Sequence, residues 1–511
     1  MFHVSLMPSR FSTLAVFSIQ SSAAFLEPFP RLKMRSGVKQ TVVALACTLV
    51  FATSLTGQVI AFPEVPAPNP EDSVAQESAE QRDQRMAWWR EARFGMFVHW
   101  GLYSGLAGTW KEKAVSKRGG MEWLQFRVRA KSDEYAEAAA PHFNPSEGFA
   151  EQWAKLAKQA GCKYVVFTTK HHDGFSLHDS ATTTFDAKDL VDRDLCKEIT
   201  DALRAEGLKV GFYHSVIDWH HPEYNFANAK GLPHPLAGKE SADGREHSKY
   251  VDYLHQQVEE LMTNYGDVDI VWWDYSKANA QGPFWRANDL IKLVRQHQPD
   301  ILSNNRLYKL KPMKEAVERL KAFNPRYGDF TTPEQHVPST GIPGVDWEVC
   351  MTMNTTWGFS EHDGNWKSDE KLIQTLVDVV SKGGNYLLNI GPKGDGSIPD
   401  ESVKSMEAIG RWMAVNSESI YATQASPFEK PEWGRYTTKD NTLYAHVFQW
   451  PVDGKLEIAS AGMKFSRAYL LADKETDLVF ESTAEGLRVH LPNKAPDSIA
   501  SVIALEMQAS E

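Results

Sequence analysis

From Phe94 onward the chain alternates between two kinds of apolar pattern. Short, nearly continuous apolar runs recur at Phe94–Val98, Tyr164–Thr168, Val210–His214, Ile270–Trp273, Ile301–Ser303, Trp347–Met351 and Tyr386–Ile390. Between most of them lie longer segments with apolar positions at helical spacing: Glu147–Ala160, Leu190–Glu206, Arg245–Tyr265, Pro283–His297, Asp369–Lys382 and Glu401–Val415. Strand alternating with helix predicts a parallel sheet, and seven or eight such units over roughly 350 residues fit an α/β fold of the (β/α)8 (TIM) barrel type with insertions. A doubly wound sheet shares the alternation, but no Gly-rich phosphate turn follows the first strand.

Past Thr423 the pattern shortens. Alternating runs at Leu443–Trp450, Lys455–Ala459, Ala468–Leu471, Leu487–Leu491 and Ile499–Leu505, separated by turn residues, predict a small C-terminal antiparallel β-sandwich. Upstream, residues 62–83 carry prolines and charges and read as an extended lead-in, followed by a helix over Gln84–Arg93. The expected organisation is a leader over 1–61, the lead-in, a barrel over 84–423 and a sandwich over 424–511. Two stretches, Asp218–Gly244 and Leu307–Asp346, are longer than barrel connections need to be, which marks them as functional loops.

The leader is legible by itself. Arg31, Lys33, Arg35 and Lys39 precede an apolar run over Thr41–Leu55, and Val59-Ile60-Ala61 follows as a small-residue cleavage site. That order is the order of a secretory signal, and the run is too short for a comfortable membrane span. It predicts a secreted or periplasmic protein without stable membrane insertion, beginning near Phe62. The net charge of −11 leaves no basic excess to neutralise phosphates, which excludes a nucleic-acid partner. Of the four cysteines, Cys47 lies in the leader, and Cys162, Cys196 and Cys350 have no CxxC spacing. Neither a disulfide framework nor a zinc knuckle is predicted.

In a barrel the strand ends and the loops after them converge on one face, where chemistry is placed. Those ends read His99-Trp100-Gly101, then Lys170-His171-His172-Asp173-Gly174, then Tyr213-His214, Asp274, Asn304-Asn305-Arg306 and Asn389. Asp274 closes the apolar stretch Asp269-Ile270-Val271-Trp272-Trp273. A carboxylate leaving such a strand is costly to bury unless paired, so it is either a cap for the next segment or a catalytic group. A ring of imidazole, indole and amide groups suits vicinal hydroxyls, each of which is both donor and acceptor. His-His-Asp raises the question of zinc, but HxH and HExxH spacings are absent and adjacent side chains at a strand end are expected to diverge. No metal and no cofactor is predicted.

Several of these stretches carry a family likeness. Phe94-Gly95-Met96-Phe97-Val98-His99-Trp100-Gly101-Leu102-Tyr103-Ser104, Thr168-Thr169-Lys170-His171-His172-Asp173-Gly174-Phe175, Trp357-Gly358 and Gly383-Gly384-Asn385-Tyr386-Leu387-Leu388-Asn389-Ile390-Gly391-Pro392 resemble the α-L-fucosidases of glycoside hydrolase family 29, from about Trp88 to Tyr421. The resemblance implies a barrel followed by a β-sandwich and a fucosylated oligosaccharide or glycoconjugate as partner. It implies that Asp274 is a nucleophile and that His99, His171 and His172 hold fucose hydroxyls. Trp272 and the Glu122-Trp123 pair are implied near the sugar, Arg306 at a matching strand end, and Trp357 against the fucose methyl. His214 stands where many relatives have a tyrosine.

The acid/base varies in position across that family, and two residues compete for it. Glu334, shortly after Asp329-Phe330, lies in a loop where a proton donor can close over substrate; Glu348, after Trp347, lies in a predicted strand. Glu334 is the expected acid/base and Glu348 the runner-up. The implied reaction is exo-acting, retaining hydrolysis by double displacement, with Glu334 kept protonated by partial burial against aromatic rings. Rival readings are an exo-glycosidase for α-L-galactosides, a non-catalytic fucose-binding protein and a zinc hydrolase.

Overall fold

The computed structural model describes residues 77–508 apart from 116–119, 227–231, 278–279, 309–327 and 485, so the leader and most of the lead-in lie outside the described residues. The first described element is a capped helix. Ser78 accepts a hydrogen bond from the Gln81 N–H while the Gln81 side chain accepts from the Ser78 N–H, and helix α1 runs Ala79–Ala92 from this reciprocal cap. It therefore starts inside the stretch expected to be extended.

Seven barrel strands follow: β1 Phe94–Val98, β2 Tyr164–Lys170, β3 Lys209–Ser215, β4 Ile270–Asp274, β5 Leu302–Ser303, β6 Glu348–Thr352 and β7 Asn385–Ile390. They form one sheet in the order β5-β4-β3-β2-β1-β7-β6, with every pair parallel. Helices Phe149–Ala160, Leu195–Ala205, His247–Asn264, Ala287–His297, Asp369–Val380 and Asp400–Asn416 lie where the apolar spacing places them. Asp194 and Ser368 cap two of them, each accepting from a backbone N–H one turn in.

The gap between β5 and β6 is filled by a stave that the sequence does not announce. Asn304 pairs with Phe330 and Thr331 with Trp347, both in parallel, inside what reads as one long loop over Leu307–Asp346. The Asn305 N–H donates to Phe330 O (3.0 Å) and the Glu348 N–H to Thr331 O (2.9 Å), which closes the ring. Residues 329–331 make too few pairs to show an apolar run, so the eighth barrel position carries no periodic signal.

Inside the ring, alternate side chains such as Phe97, Val166, Tyr213, Trp272 and Leu387 form a core of their own, which Met86, Trp89 and Ala92 of α1 plug from the N-terminal end. Charges hold the plug. Arg85 Nη2 lies 2.7 Å from Asp329 Oδ1 and its Nε 2.7 Å from Glu77, while Arg82 and Arg90 both pair with Asp346, at 3.0 and 2.7 Å. The other oxygen of Asp329 accepts from the Ser303 N–H at 2.8 Å, tying the stave to β5.

The C-terminal domain is an antiparallel sandwich. A five-stranded sheet in the order Gly434–Lys439, Thr442–Val447, Ser501–Met507, Phe465–Leu470, Asp473–Asp477 faces a three-stranded one in the order Lys455–Ile458, Leu487–His490, Phe480–Ser482. Leu443, Ala445 and Val447 enter the sandwich core, while Tyr444 and His446, on the alternate face, turn toward the barrel helices. Trp412 Nε1 donates to Ala500 O (2.8 Å) and Arg435 pairs with Asp378 (2.5 Å) across this junction. Three strands escape the sequence reading, among them Asp473–Asp477, which contains no apolar residue and is exposed throughout, as suits a charged edge strand. Cys162, Cys196 and Cys350 are buried thiols, and among the described residues no helix is long and apolar enough to cross a membrane.

Because Asp329 is buried between Arg85 and the β5 backbone, Asp329→Ala is expected to cost about 3 kcal/mol, the lower end for breaking a buried pair since Glu77 still faces Arg85. Urea denaturation of the variant beside wild type measures it, and an unchanged midpoint would remove the stave from the stability argument.

Candidate functional site

Asp274 ends β4 opposite Ser215, at the mouth of the barrel. Its two oxygens are held separately: Oδ1 accepts from Arg306 Nη1 at 2.7 Å and Oδ2 from the Tyr213 hydroxyl at 2.8 Å, with His172 Nε2 3.8 Å away. Burial pushes this carboxyl up, but the Arg306 guanidinium, His172 and the Tyr213 hydroxyl together outweigh it, and its pKa lies below the usual carboxylate value. Asp274 is thus held ionised by side-chain donors on both oxygens, where a cap would accept from backbone N–H groups.

Arg306 stands three residues beyond β5, with its Nε on Thr332 Oγ1 (2.7 Å) and its guanidinium 4.4 Å above the Trp272 ring. Its Nη2 pairs with Glu334 Oε2 at 2.9 Å. One guanidinium fork therefore carries both expected reacting carboxylates side by side. Burial works against the arginine's charge, but the two carboxylates more than compensate and raise its pKa. The residue after each carboxylate, Tyr275 at φ 75° and Gln335 at φ 59°, takes the left-handed conformation that side chains rarely adopt. Glu334 differs from expectation in its surroundings: its side chain is 45% exposed, with Arg306 rather than aromatic rings as its described partner.

The histidines form the opposite wall. A register shift between β2 and β3 at Thr168/Lys170 re-aims the end of β2. Lys170 turns outward to Asp218 (3.2 Å), and the rings of His171 and His172 lie 4.1 Å apart instead of diverging. Partners settle two tautomers. Asn389 Nδ2 donates to Trp357 O, so its Oδ1 accepts from the His99 Nδ1–H at 2.7 Å and leaves His99 Nε2 as an acceptor. The Ser215 hydroxyl donates to Ile217 O and accepts from the His172 Nδ1–H at 2.7 Å, so His172 Nε2 is an acceptor as well. Burial lowers the pKa of His99 to about 3 and of His172 to about 4, and drives His171 well below the ordinary value. Three neutral imidazoles result. His171 Nδ1 is buried without a hydrogen-bond partner among the described residues.

Glu122 and Trp123 arrive on a short 3-10 turn over Met121–Trp123. Trp123 lies against His172 (5.0 Å) and Tyr275 (5.6 Å). Glu122 Oε2 accepts from the Gly358 N–H at 3.1 Å, while its Oε1 is buried and unpartnered among the described residues. Burial lifts this carboxyl to about 7. Trp357 stands 4.9 Å from His99, and the turn that carries it packs so tightly on the end of β7 that a Cβ on Gly391 would lie 2.6 Å from Trp357 O.

Two expectations fail. His214 points away from the cavity: it is buried behind the strand, with Nδ1 on Thr169 Oγ1 (2.9 Å) and Lys170 nearby. Strand alternation explains this, since Tyr213 and Ser215 face inward and the residue between them must face outward. Tyr213, which holds Asp274, and Ser215, which fixes His172, were missed although the same alternation marks them. Glu348, the runner-up acid/base, opens β6, near the start of the strand where the sequence puts it, and is fully buried at the plugged end of the barrel, accepting from Trp272 Nε1 (3.1 Å) and Tyr164 OH (2.5 Å). Among the described residues no cluster of three His, Cys, Asp or Glu side chains has the arrangement to hold a metal ion.

Comparison with known proteins places the chain in a family. A family model described as alpha-L-fucosidase matches residues 64–418, and a second, its C-terminal domain, matches 430–507. The tissue alpha-L-fucosidase of Rattus norvegicus is 29% identical over 441 residues, 80% of this chain and 86% of that one. Alpha-L-fucosidase isoenzyme 1 from Paenibacillus thiaminolyticus superposes with a TM-score of 0.75 at 39% identity, covering 84% of this chain and 100% of its own. A GH29 alpha-L-fucosidase from Bacteroides thetaiotaomicron, trapped as a covalent intermediate with 2-fluoro-fucosyl fluoride, superposes at 0.73 with 31% identity, covering 84% and 97%.

The raised carboxyl of Glu122 gives a pH prediction. A folded pKa of about 7 against the ordinary value of 4.5 contributes stability that is fully present below pH 4.5 and lost as pH rises through 7. Glu122→Gln lacks that loss, so its stability relative to wild type should rise by on the order of 3 kcal/mol between pH 4.5 and neutrality. Urea melts at both pH values check this, and a constant difference would place Glu122 in an ordinary solvated state.

Proposed function

The chain belongs to the alpha-L-fucosidases of glycoside hydrolase family 29, and from that premise we propose that it hydrolyses terminal α-L-fucosyl residues of fucosylated oligosaccharides with Asp274 as nucleophile and Glu334 as acid/base. The observation that carries the assignment is the Arg306 fork, which holds these two carboxylates together at the mouth of the barrel. Retaining glycosidases place their two carboxyl groups about 5–5.5 Å apart, closer than inverting ones, and shared pairing to one guanidinium favours the short spacing.

Asp274 attacks the anomeric carbon as Glu334 gives its proton to the departing glycosidic oxygen, leaving a fucosyl-enzyme ester. Glu334, now ionised, takes a proton from water, whose oxygen displaces Asp274 and restores the original configuration. The neutral imidazoles supply acceptors at His99 Nε2 and His172 Nε2 for sugar hydroxyl protons, and protonated Glu122 can donate from its free oxygen. The half-buried ring of Trp357 beside His99 offers an apolar surface to the fucose methyl group. The basic-apolar-small order of residues 31–61 supports export of the mature chain from near Phe62, which N-terminal mass analysis of the secreted protein would check.

On nitrophenyl α-L-fucoside, Asp274→Asn is expected to lower kcat by on the order of 10³-fold or more with folding intact, and Glu334→Gln by about 10²–10⁴-fold on substrates with poor leaving groups. With azide, Asp274→Asn should yield the β-fucosyl azide and Glu334→Gln the α-fucosyl azide. Wild-type behaviour of Glu334→Gln would remove that residue from the acid/base role.

A further inference from the structure

Glu348 is a carboxyl inside the barrel core that the proposed reaction leaves unused, and its partner leads straight to the reacting groups. Its Oε1 accepts from Trp272 Nε1 at 3.1 Å and its Oε2 from the Tyr164 hydroxyl. A fully buried carboxyl with both oxygens taken is by itself a satisfied core group. What sets this one apart is where Trp272 stands. The indole lies nearly parallel to Tyr213 (5.7 Å between centroids, 21°), tilted against Phe97 (5.0 Å), and under the Arg306 guanidinium (4.4 Å). Tyr213 and Arg306 are the two residues that hold Asp274, and Arg306 holds Glu334.

We propose that Glu348 is the positioning residue of the site: by pinning the edge of the Trp272 indole it fixes the surface on which Arg306 lies and Tyr213 stacks, and so sets the spacing of Asp274 and Glu334 from the far end of the barrel. The proposal rests on the assignment of those two residues as the reacting pair. An indole has two torsions to its backbone, and one hydrogen bond from its only polar atom adds a directional restraint to the packing around it. Because reacting carboxylates displaced by about 1 Å can lose on the order of 10²-fold in rate, a restraint on the arginine beneath them matters even though Glu348 touches no substrate. Burial lifts the Glu348 carboxyl to about 7. Accepting from Trp272 does not require the ionised form, so an amide can stand in for it: a Gln oxygen accepts from the indole while its NH₂ donates to the Tyr164 oxygen.

That substitution separates the roles. Glu348→Leu is expected to lower kcat on nitrophenyl α-L-fucoside by roughly 10²-fold with KM changed less than about threefold, and Glu348→Gln to recover most of the loss on both nitrophenyl and alkyl fucosides. Trp272→Phe, which keeps a ring but removes the N–H, should lower kcat in the same way, and combining it with Glu348→Leu should add little further loss. A Glu348→Gln variant that fails chiefly on alkyl fucosides and is rescued by azide would overturn the proposal by making Glu348 the acid/base. A folded Glu348→Leu with wild-type kcat would overturn it by leaving Glu348 a purely structural group. If Glu348→Leu does not fold, Trp272→Phe and Glu348→Gln decide between the same outcomes. Crystals of the Glu348 variants give a reading that does not depend on substrate: Arg306 shifted off Asp274 and Glu334 in Glu348→Leu but not in Glu348→Gln supports positioning even if the wild type cleaves no fucoside, whereas an unmoved Arg306 in both rejects it.

Discussion

Arg306 donates to Asp274 with one terminal nitrogen and to Glu334 with the other, rests on Trp272, and is half-buried while doing so. Burial alone would push a proton onto Asp274, and the cation beside it prevents that. A guanidinium is suited to the task because it stays charged, is flat and presents its donors in a fixed fork, where a lysine would offer a single mobile point charge. The rest of the mouth is arranged around that balance. Tyr213 adds a neutral donor to Asp274, and the three histidines are kept neutral by burial, so they do not add charge to a site whose positive member is already in place.

The barrel framework was readable because parallel strands buried on both faces appear as dense apolar runs, and because the helices between them carry one apolar stripe each. The stave at 329–331 was not, since a segment held by single bridges needs no run of apolar residues; Phe330 alone enters the core. At the site, Asp274, Arg306 and the histidines were legible as polar groups at strand ends. Their roles depend on details that spacing along the chain does not encode: a register shift that brings His171 and His172 together, and hydrogen bonds that assign the protons of His99 and His172. His214 and Tyr213 exchanged places because two adjacent residues with suitable chemistry compete at the end of β3, and only the pleat decides which of them faces in.

Glu334 and Glu348 carry the same lesson for carboxylates. Both follow a pattern the family resemblance singles out, both lie within reach of aromatic rings in the sequence, and one strand separates their fates. Glu348 begins β6 and is enclosed by Tyr164 and Trp272 at the plugged end, whereas Glu334 follows the closing stave and emerges beside Arg306 at the open end. Position along a barrel strand, more than residue type, divides supporting groups from reacting ones.

The helix that plugs the barrel is the first described element of the chain, yet its charged partners, Asp329 and Asp346, lie 244 and 256 residues later. It cannot dock until almost the whole barrel has been made. The floor of the enzyme is therefore synthesised first and completed last, and such long-range closure is slow to form. Until then Met86, Trp89 and the lower barrel interior have no partner for their apolar surfaces, so the nascent chain exposes them for as long as the barrel takes to be completed.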